Sequence, residues 1–383
     1  MQYRLLIDDN DYYGDVVLFN SINITYGRSD ITSQPAPATM SVTMSGFATA
    51  MPYVNLYHTI KMQVLDTASS TWVNLFAGRI YDVSNSVSVW GNGDGLVEYS
   101  ITAQGHLAEF NRKNVGITGF VKQKDSIRLD DILFYTGSDL VIDYSTPAGV
   151  YEIAAVSNGN YDALQLMQDT ANSAMGVLID TPDDETSTSP VTYVAYTDRS
   201  TLGTINLTVD DIIANGLTVT KSMNDIVAEA WVTYGSGSTS TSAIQSAVTL
   251  TDASASRTTY LHNLSDANTV AQILLAGRTD ELYRLTNITV NLNTITDATL
   301  LTSLYNIRNG YRITITGLPF LDCTSFDGFV EGWTWNINKN GTTLNINLSN
   351  YGQNYPYTMW NNLSATDTWN TIYTATTTWE DVV

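Results

Sequence analysis

A chain that writes one residue pattern in both halves is constrained to fold as two like units, and this sequence carries such an echo. In the first half Lys61-Met62-Gln63-Val64-Leu65 leads to Phe76-Ala77-Gly78-Arg79-Ile80. In the second, Arg312-Ile313-Thr314-Ile315-Thr316 leads to Phe326-Asp327-Gly328-Phe329-Val330. Each copy opens on a basic residue, alternates, and after 15 or 14 residues reaches Phe-x-Gly-x-(Ile/Val). A further alternating run follows each copy, at 97–103 and 343–348. Period-two alternation marks half-buried strands. Phe76, Gly78 and Ile80, with Phe326, Gly328 and Val330, therefore stand as the framework of two copies of one β-module.

Composition agrees with a β protein. The 383 residues suffice for two to four domains. At 43% hydrophobic and 14% charged, rich in Asn, Thr, Ser and Tyr, the chain suits strands with polar outer faces and turn-rich connections. The apolar runs, such as 130–135, fall far short of the roughly 20 residues of a membrane span. Asp8-Asp9 interrupts the N-terminus before the apolar core of a secretory signal can form, so a cytoplasmic origin is expected. The single cysteine, Cys323, excludes an intrachain disulfide and any thiolate metal cluster. A net charge of −21 argues against tight binding to nucleic acid, which depends on Lys and Arg neutralising phosphates.

Four segments are expected. Residues 1–110 hold six alternating runs and form a first β-barrel. Residues 111–200 form a small α/β domain: 125–134 and a stretch capped by Asn160 carry apolar residues at helical spacing, and 176–180 with 191–196 read as a hairpin. Residues 201–350 form a second barrel interrupted by an insertion at about 235–284, whose helix opens at Ser265 and runs through Leu274 towards Leu282. Residues 351–383 form an extended tail in which Trp360, Trp369 and Trp379 recur, the candidate anchors for a neighbouring surface. The fold class is thus mainly β with a smaller α+β part.

No catalytic, cofactor-binding or metal site is expected. His58, His106 and His262 lie far apart and outside any hydrolase or metalloprotease pattern. The run from Asp8 to Asp15 echoes a calcium loop but lacks its closing glutamate, and reads as a hairpin turn. Gly91-Asn92-Gly93-Asp94-Gly95 lies between strands, without the following helix that a phosphate cradle needs. Paired carboxylates for glycoside hydrolysis leave no local signature. A carbohydrate- or receptor-binding role, or less readily a cell-wall glycoside hydrolase, stays open as the alternative.

The runs Ile24-Thr25-Tyr26-Gly27-Arg28-Ser29-Asp30, Met40-Ser41-Val42-Thr43-Met44, Phe76-Ala77-Gly78-Arg79-Ile80 and Ile101-Thr102-Ala103-Gln104-Gly105-His106-Leu107-Ala108 resemble the N-terminal half of minor tail proteins of long-tailed bacteriophages. Ser222-Met223-Asn224-Asp225-Ile226-Val227-Ala228, Phe329-Val330-Glu331-Gly332 and the Trp-containing tail are similar to the second half of the same family. The resemblance implies a baseplate or tail-tip hub: a homotrimer whose two barrels per chain build a pseudo-sixfold ring. That ring joins a sixfold tail tube or distal tail protein above to threefold tip or fibre proteins below. It also implies residence in the virion after assembly in the host cytoplasm, and passage of DNA through a channel whose acidic lining repels it. Some hub proteins continue into a peptidase or lysozyme domain, for which this sequence has no room. Any cell-wall cutting is expected to fall to another protein.

Overall fold

The computed structural model describes residues 1–12, 17–89, 95–183, 189–235, 241–247, 252–276, 278–279, 283–320 and 323–350. The three tail tryptophans, most of the Gly91–Gly95 run and part of the first acidic run lie outside them.

The N-terminal part forms β1 (Tyr3–Ile7), β2 (Asn10–Asp11), β3 (Val17–Gly27), β4 (Thr39–Phe47), β5 (Thr59–Asp66), β6 (Thr71–Val89) and β7 (Leu96–Gln104). Alternation works as expected: Met40, Val42 and Met44 of β4 are buried while Thr39 and Ser41 are exposed. Between β1 and β2, Asp8 and Asp9 hold φ of 47° and 62°. Two central residues at positive φ give the hairpin turn whose twist suits the flanking strands.

The middle part carries β8 (Asn114–Val115), β9 (Gln123–Lys124), α1 (Asp125–Tyr135), β10 (Ile142–Tyr144), β11 (Glu152–Ile153), β12 (Tyr161–Asp162), α2 (Ala163–Ser173), β13 (Val177–Asp180) and β14 (Val191–Val194). β14 runs parallel to β10 and antiparallel to β13. Leu129, Ile132, Leu164, Met167 and Tyr193 share one core. The cap of α2 is Asp162, whose carboxylate accepts the Gln165 N–H at 2.8 Å, rather than Asn160.

Next come β15 (Thr204–Thr208) and β16 (Ile212–Thr220), then an inserted unit of β17 (Glu229–Tyr234), β18 (Thr241–Ser246), β19 (Ser254–Thr258) and α3 (Leu264–Leu275). The unit begins before the expected position near 235, because β17 pairs with β18 and β19 and, among the described residues, with no strand of the large sheet. Asn263, not Ser265, caps α3, accepting the Asp266 N–H at 2.8 Å. The chain then returns through β20 (Arg284–Asn291), α4 (Ala298–Tyr305), β21 (Arg312–Phe320), β22 (Cys323–Asn338) and β23 (Gly341–Asn350).

Strand order exposes the duplication. The first module reads β3-β4-β7-β6-β5-β1 and the second β16-β20-β23-β22-β21-β15, the same order position by position. One pairing differs: β1 is antiparallel to β5, whereas β15 is parallel to β21. Among the described residues, the outer strands of each module are not paired to each other, so each barrel-like unit keeps a seam. β22 pairs with β3 and fuses both modules into one 13-stranded sheet over a continuous core. Among the described residues no helix is long and apolar enough to cross a membrane.

Candidate functional site

The sequence echo maps onto equivalent places in the two modules. Gly78 lies opposite Ile60 and Gly328 opposite Ile313. A Cβ on Gly78 would stand 2.2 Å from the Gln104 carbonyl oxygen and 2.9 Å from Cζ of Phe76. On Gly328 it would stand 2.3 Å from the Ser349 carbonyl oxygen and 2.5 Å from Cζ of Phe326. Residues i and i+2 share a strand face, so in Phe-x-Gly the ring folds over the glycine and fills the room its missing side chain leaves. Phe76, Ile80, Phe326 and Val330 are all buried.

The basic residues that open the two copies are not equivalent, which corrects the pattern read from sequence. Lys61 lies opposite Ala77, but Arg312 lies opposite Phe329, the counterpart of Arg79. Lys61 reaches Asp9 at 3.1 Å, whereas Arg312 donates to Asp327 through both Nε and Nη2. Either end of an alternating strand accepts a Lys or Arg, so the charge carries no register.

One residue past each framework a bulge follows. Ile80 and Asp82 face the consecutive Ala103 and Thr102, leaving Tyr81 extra; Val330 and Gly332 face Leu348 and Asn347, leaving Glu331 extra. A bulge bends its strand and re-aims it. Before the bulge β22 has β21 on one side, and after it β3, in the register Gly332 to Gly27 through Asn338 to Ser21.

This joint is built closely. Gly27 has φ of +82°, and a Cβ there would meet the Glu331 carbonyl oxygen at 2.4 Å. Tyr26 stacks on Trp333 with centroids 5.1 Å apart and 16° between planes, and Phe76 lies 6.2 Å from the same tyrosine. Offset stacking of this kind adds about 0.5–1.5 kcal/mol beyond the area buried. The extra residue Glu331 receives Arg28 Nε at 2.7 Å and also binds Arg199 and the Ser349 hydroxyl. Burial works to raise the Glu331 carboxyl, but the Arg199 and Arg28 guanidiniums and the Ser349 hydroxyl outweigh it and hold the group below its ordinary value. Arg199 belongs to the segment that leaves the α/β domain, so this one carboxylate ties three parts of the chain together.

A second tie is Asp180 at the end of β13. Its carboxylate accepts the Ala38 N–H at 2.7 Å and the Leu107 N–H at 2.8 Å, linking the α/β domain to the first module. Burial pushes its carboxyl up to about 6 against the pull of those donors and of His106.

The three histidines remain apart. His58 lies 2.8 Å from Asp8, and His106 is buried 3.8 Å from Glu109. Among the described residues no group of three or more His, Cys, Asp or Glu is placed to share a metal ion.

Two barrel-like modules of one strand order, fused edge to edge with an α/β domain between them in the chain, make the fold of phage tail proteins. The structure is similar to a 43 kDa tail protein of prophage MuSo2 from Shewanella oneidensis, at a TM-score of 0.60 and 10% identity over 91% of this chain and 98% of that one. It is similar to a tail protein from Neisseria meningitidis MC58, at 0.61 and 12% identity over 92% and 98%. A third likeness, at 0.56 and 12% identity over 92% and 78%, is to an E. coli type VI secretion component described as similar to T4 bacteriophage tail proteins gp27 and gp5. No family model and no curated protein sequence matches the chain.

Proposed function

We propose that this protein is the hub of a phage tail tip. Three chains close into a pseudo-sixfold ring of six modules, which frames the DNA channel and joins a sixfold tail tube to threefold tip or fibre proteins. The observation that carries this reading is the repeated strand order, because a chain of two equivalent modules is what converts threefold into sixfold symmetry. The first segment to about residue 110 and the segment from about 201 to 350 supply the modules, and the α/β domain stands outside the ring. The role is mechanical, without catalysis, and Trp360, Trp369 and Trp379 anchor the tail on an adjoining surface. A charge of −21 per chain keeps the channel from holding DNA. Light scattering with electron microscopy of the purified protein tests it. Three-chain rings with six lobes and a central hole are expected, and a chain that stays monomeric at every concentration overturns the reading.

A further inference from the structure

Inside one chain, the half of β22 beyond its bulge pairs with β3. The equivalent half of β6, from Asp82 onward, has β7 on one side and, among the described residues, no strand on the other. The equivalent of β3 is β16, which among the described residues ends the sheet with β20 as its sole strand neighbour. One chain thus carries both halves of a second joint, unpaired among the described residues. An unpaired strand edge is a template for another chain. Resting on the ring reading above, we infer that β6 of one subunit pairs antiparallel with β16 of the next, repeating between chains the joint that β22 and β3 make within one.

Exposure supports this position by position. Val83 and Trp333 both face the central isoleucine of the following strand, Ile101 and Ile346, so the two strands correspond with a constant offset of 250. On that offset Val87 stands where Ile337 does, and Tyr81 where Glu331 does. Val87 is 45% exposed against 4% for Ile337, and Tyr81 is 49% exposed against 0% for Glu331. On the other edge, Ile22 faces Val42 as Leu217 faces Ile288, so Leu217 stands where Ile22 does; the strict correspondence ends at the irregularity that follows, where Val219 faces Leu285. Ile22 is buried, while Leu217 is half-buried. Tyr81, Val87 and Leu217 are each wetter than their counterparts, as the removal of one neighbouring strand would make them.

The surroundings of the β6 edge are apolar too. Ile80 accepts the N–H of Tyr57 at 2.8 Å, which holds the β4–β5 connection against this edge, and Tyr53, Leu56 and Tyr57 of that connection are exposed. Three residues beyond the end of β16, Met223 is exposed as well. The joint within the chain is locked by a buried ion pair, and the joint between chains is closed by aromatic and sulfur-bearing side chains.

The register follows: Val87 opposite Leu217 of the partner subunit and Ser86 opposite Thr218 of the partner subunit. A contact using two different edges is head-to-tail, and such contacts close into rings when the rotation allows.

Paired cysteines in a Cys323→Ser background test the register. Ser86→Cys with Thr218→Cys, and Val87→Cys with Leu217→Cys, are oxidised with oxidised glutathione and run on a non-reducing gel. Adjacent antiparallel pairs alternate between wide and close spacing, so at least one of the two meets disulfide geometry. Covalent dimers and trimers that reduction abolishes are expected from at least one pair, and loss of both species is expected for Ser84→Cys with Thr218→Cys, which is out of register by two. Each variant is first matched to the parent in melting temperature and in light scattering. Three-chain rings without cross-linking by either pair, or with equal cross-linking by the out-of-register pair, overturn this joint and leave the ring reading standing. A monomeric parent chain overturns both.

Discussion

Arg28 Nε lies 2.7 Å from Glu331 Oε2, and the two side chains are 1% and 0% exposed although 303 residues separate them in sequence. The pair sits where β3 leaves β22, so a slip of the two strands by two residues would bury both charges unpaired. Replacing Glu331 by Ala strands Arg28 and Arg199 without their carboxylate. Loss of one partner from a buried ion pair costs about 3–5 kcal/mol. A urea midpoint lowered by that amount is expected, with much of it recovered when Arg28 and Arg199 are also exchanged for Leu and Met.

Gly78→Ala and Gly328→Ala should each be costly, because the new methyl runs into a backbone carbonyl at 2.2 and 2.3 Å as well as into the ring of Phe76 or Phe326. Overpacking of a core typically costs about 1–3 kcal/mol. The two sites belong to different modules, so the double variant is expected to lose the sum within about 0.5 kcal/mol. Denaturant titration of the two single variants and the double variant checks both statements.

Asp180 gives a pH signature of defined sign. Its folded carboxyl is raised to about 6 from a reference of 3.8, so between those values the folded chain holds a proton that the unfolded chain has released. This group therefore adds stability as pH falls from about 6 towards about 4, by up to about 1.4 kcal/mol per pH unit. Glu331 shifts the opposite way, its stabilisation being present above the unfolded value and lost as pH falls through its depressed one. Asp180→Asn should remove the first contribution alone. The difference between wild-type and variant melting temperatures across pH 4 to 6 reads it directly, and parallel curves would refute the assignment.

The sequence made some of this legible and hid the rest for physical reasons. Phe76-x-Gly78 and Phe326-x-Gly328 could be read because a ring folded over a glycine is a local device, written within three residues. Lys61 and Arg312 misled because a charge near a strand end has no fixed facing partner. The helix α4 was missed although Asp297 caps it through the Thr299 N–H at 2.8 Å; Leu300, Leu301 and Leu304 span too few turns to show a period. The sequence pattern of β6 stops near Val83, but the strand runs to Val89, because Ser84, Asn85 and Ser86 show no apolar alternation. The Arg28–Glu331 pair was invisible, since nothing in either neighbourhood specifies a partner so distant in sequence.

Tyr57 supplies the last prediction. Its φ is +71°, in the left-handed region, and its N–H donates to the Ile80 oxygen. The equivalent residue before β21 is Gly310, with φ of +81° and an N–H donating to the Val330 oxygen at 2.9 Å. The same turn is therefore made with glycine in one module and tyrosine in the other. A residue with a Cβ pays about 1–2 kcal/mol for this conformation. The Tyr57 ring recovers part of that from the Arg79 guanidinium 5.7 Å away, yet it is 64% exposed in the isolated chain. Its retention makes sense if the ring is covered by the neighbouring subunit. Tyr57→Gly is accordingly expected to leave the melting temperature of the separate chain unchanged or slightly higher, while weakening ring formation by roughly tenfold or more, the equivalent of about 1.4 kcal/mol. Dilution series followed by light scattering measure the second effect, and rings that persist to the same dilution as wild type would remove Tyr57 from the joint.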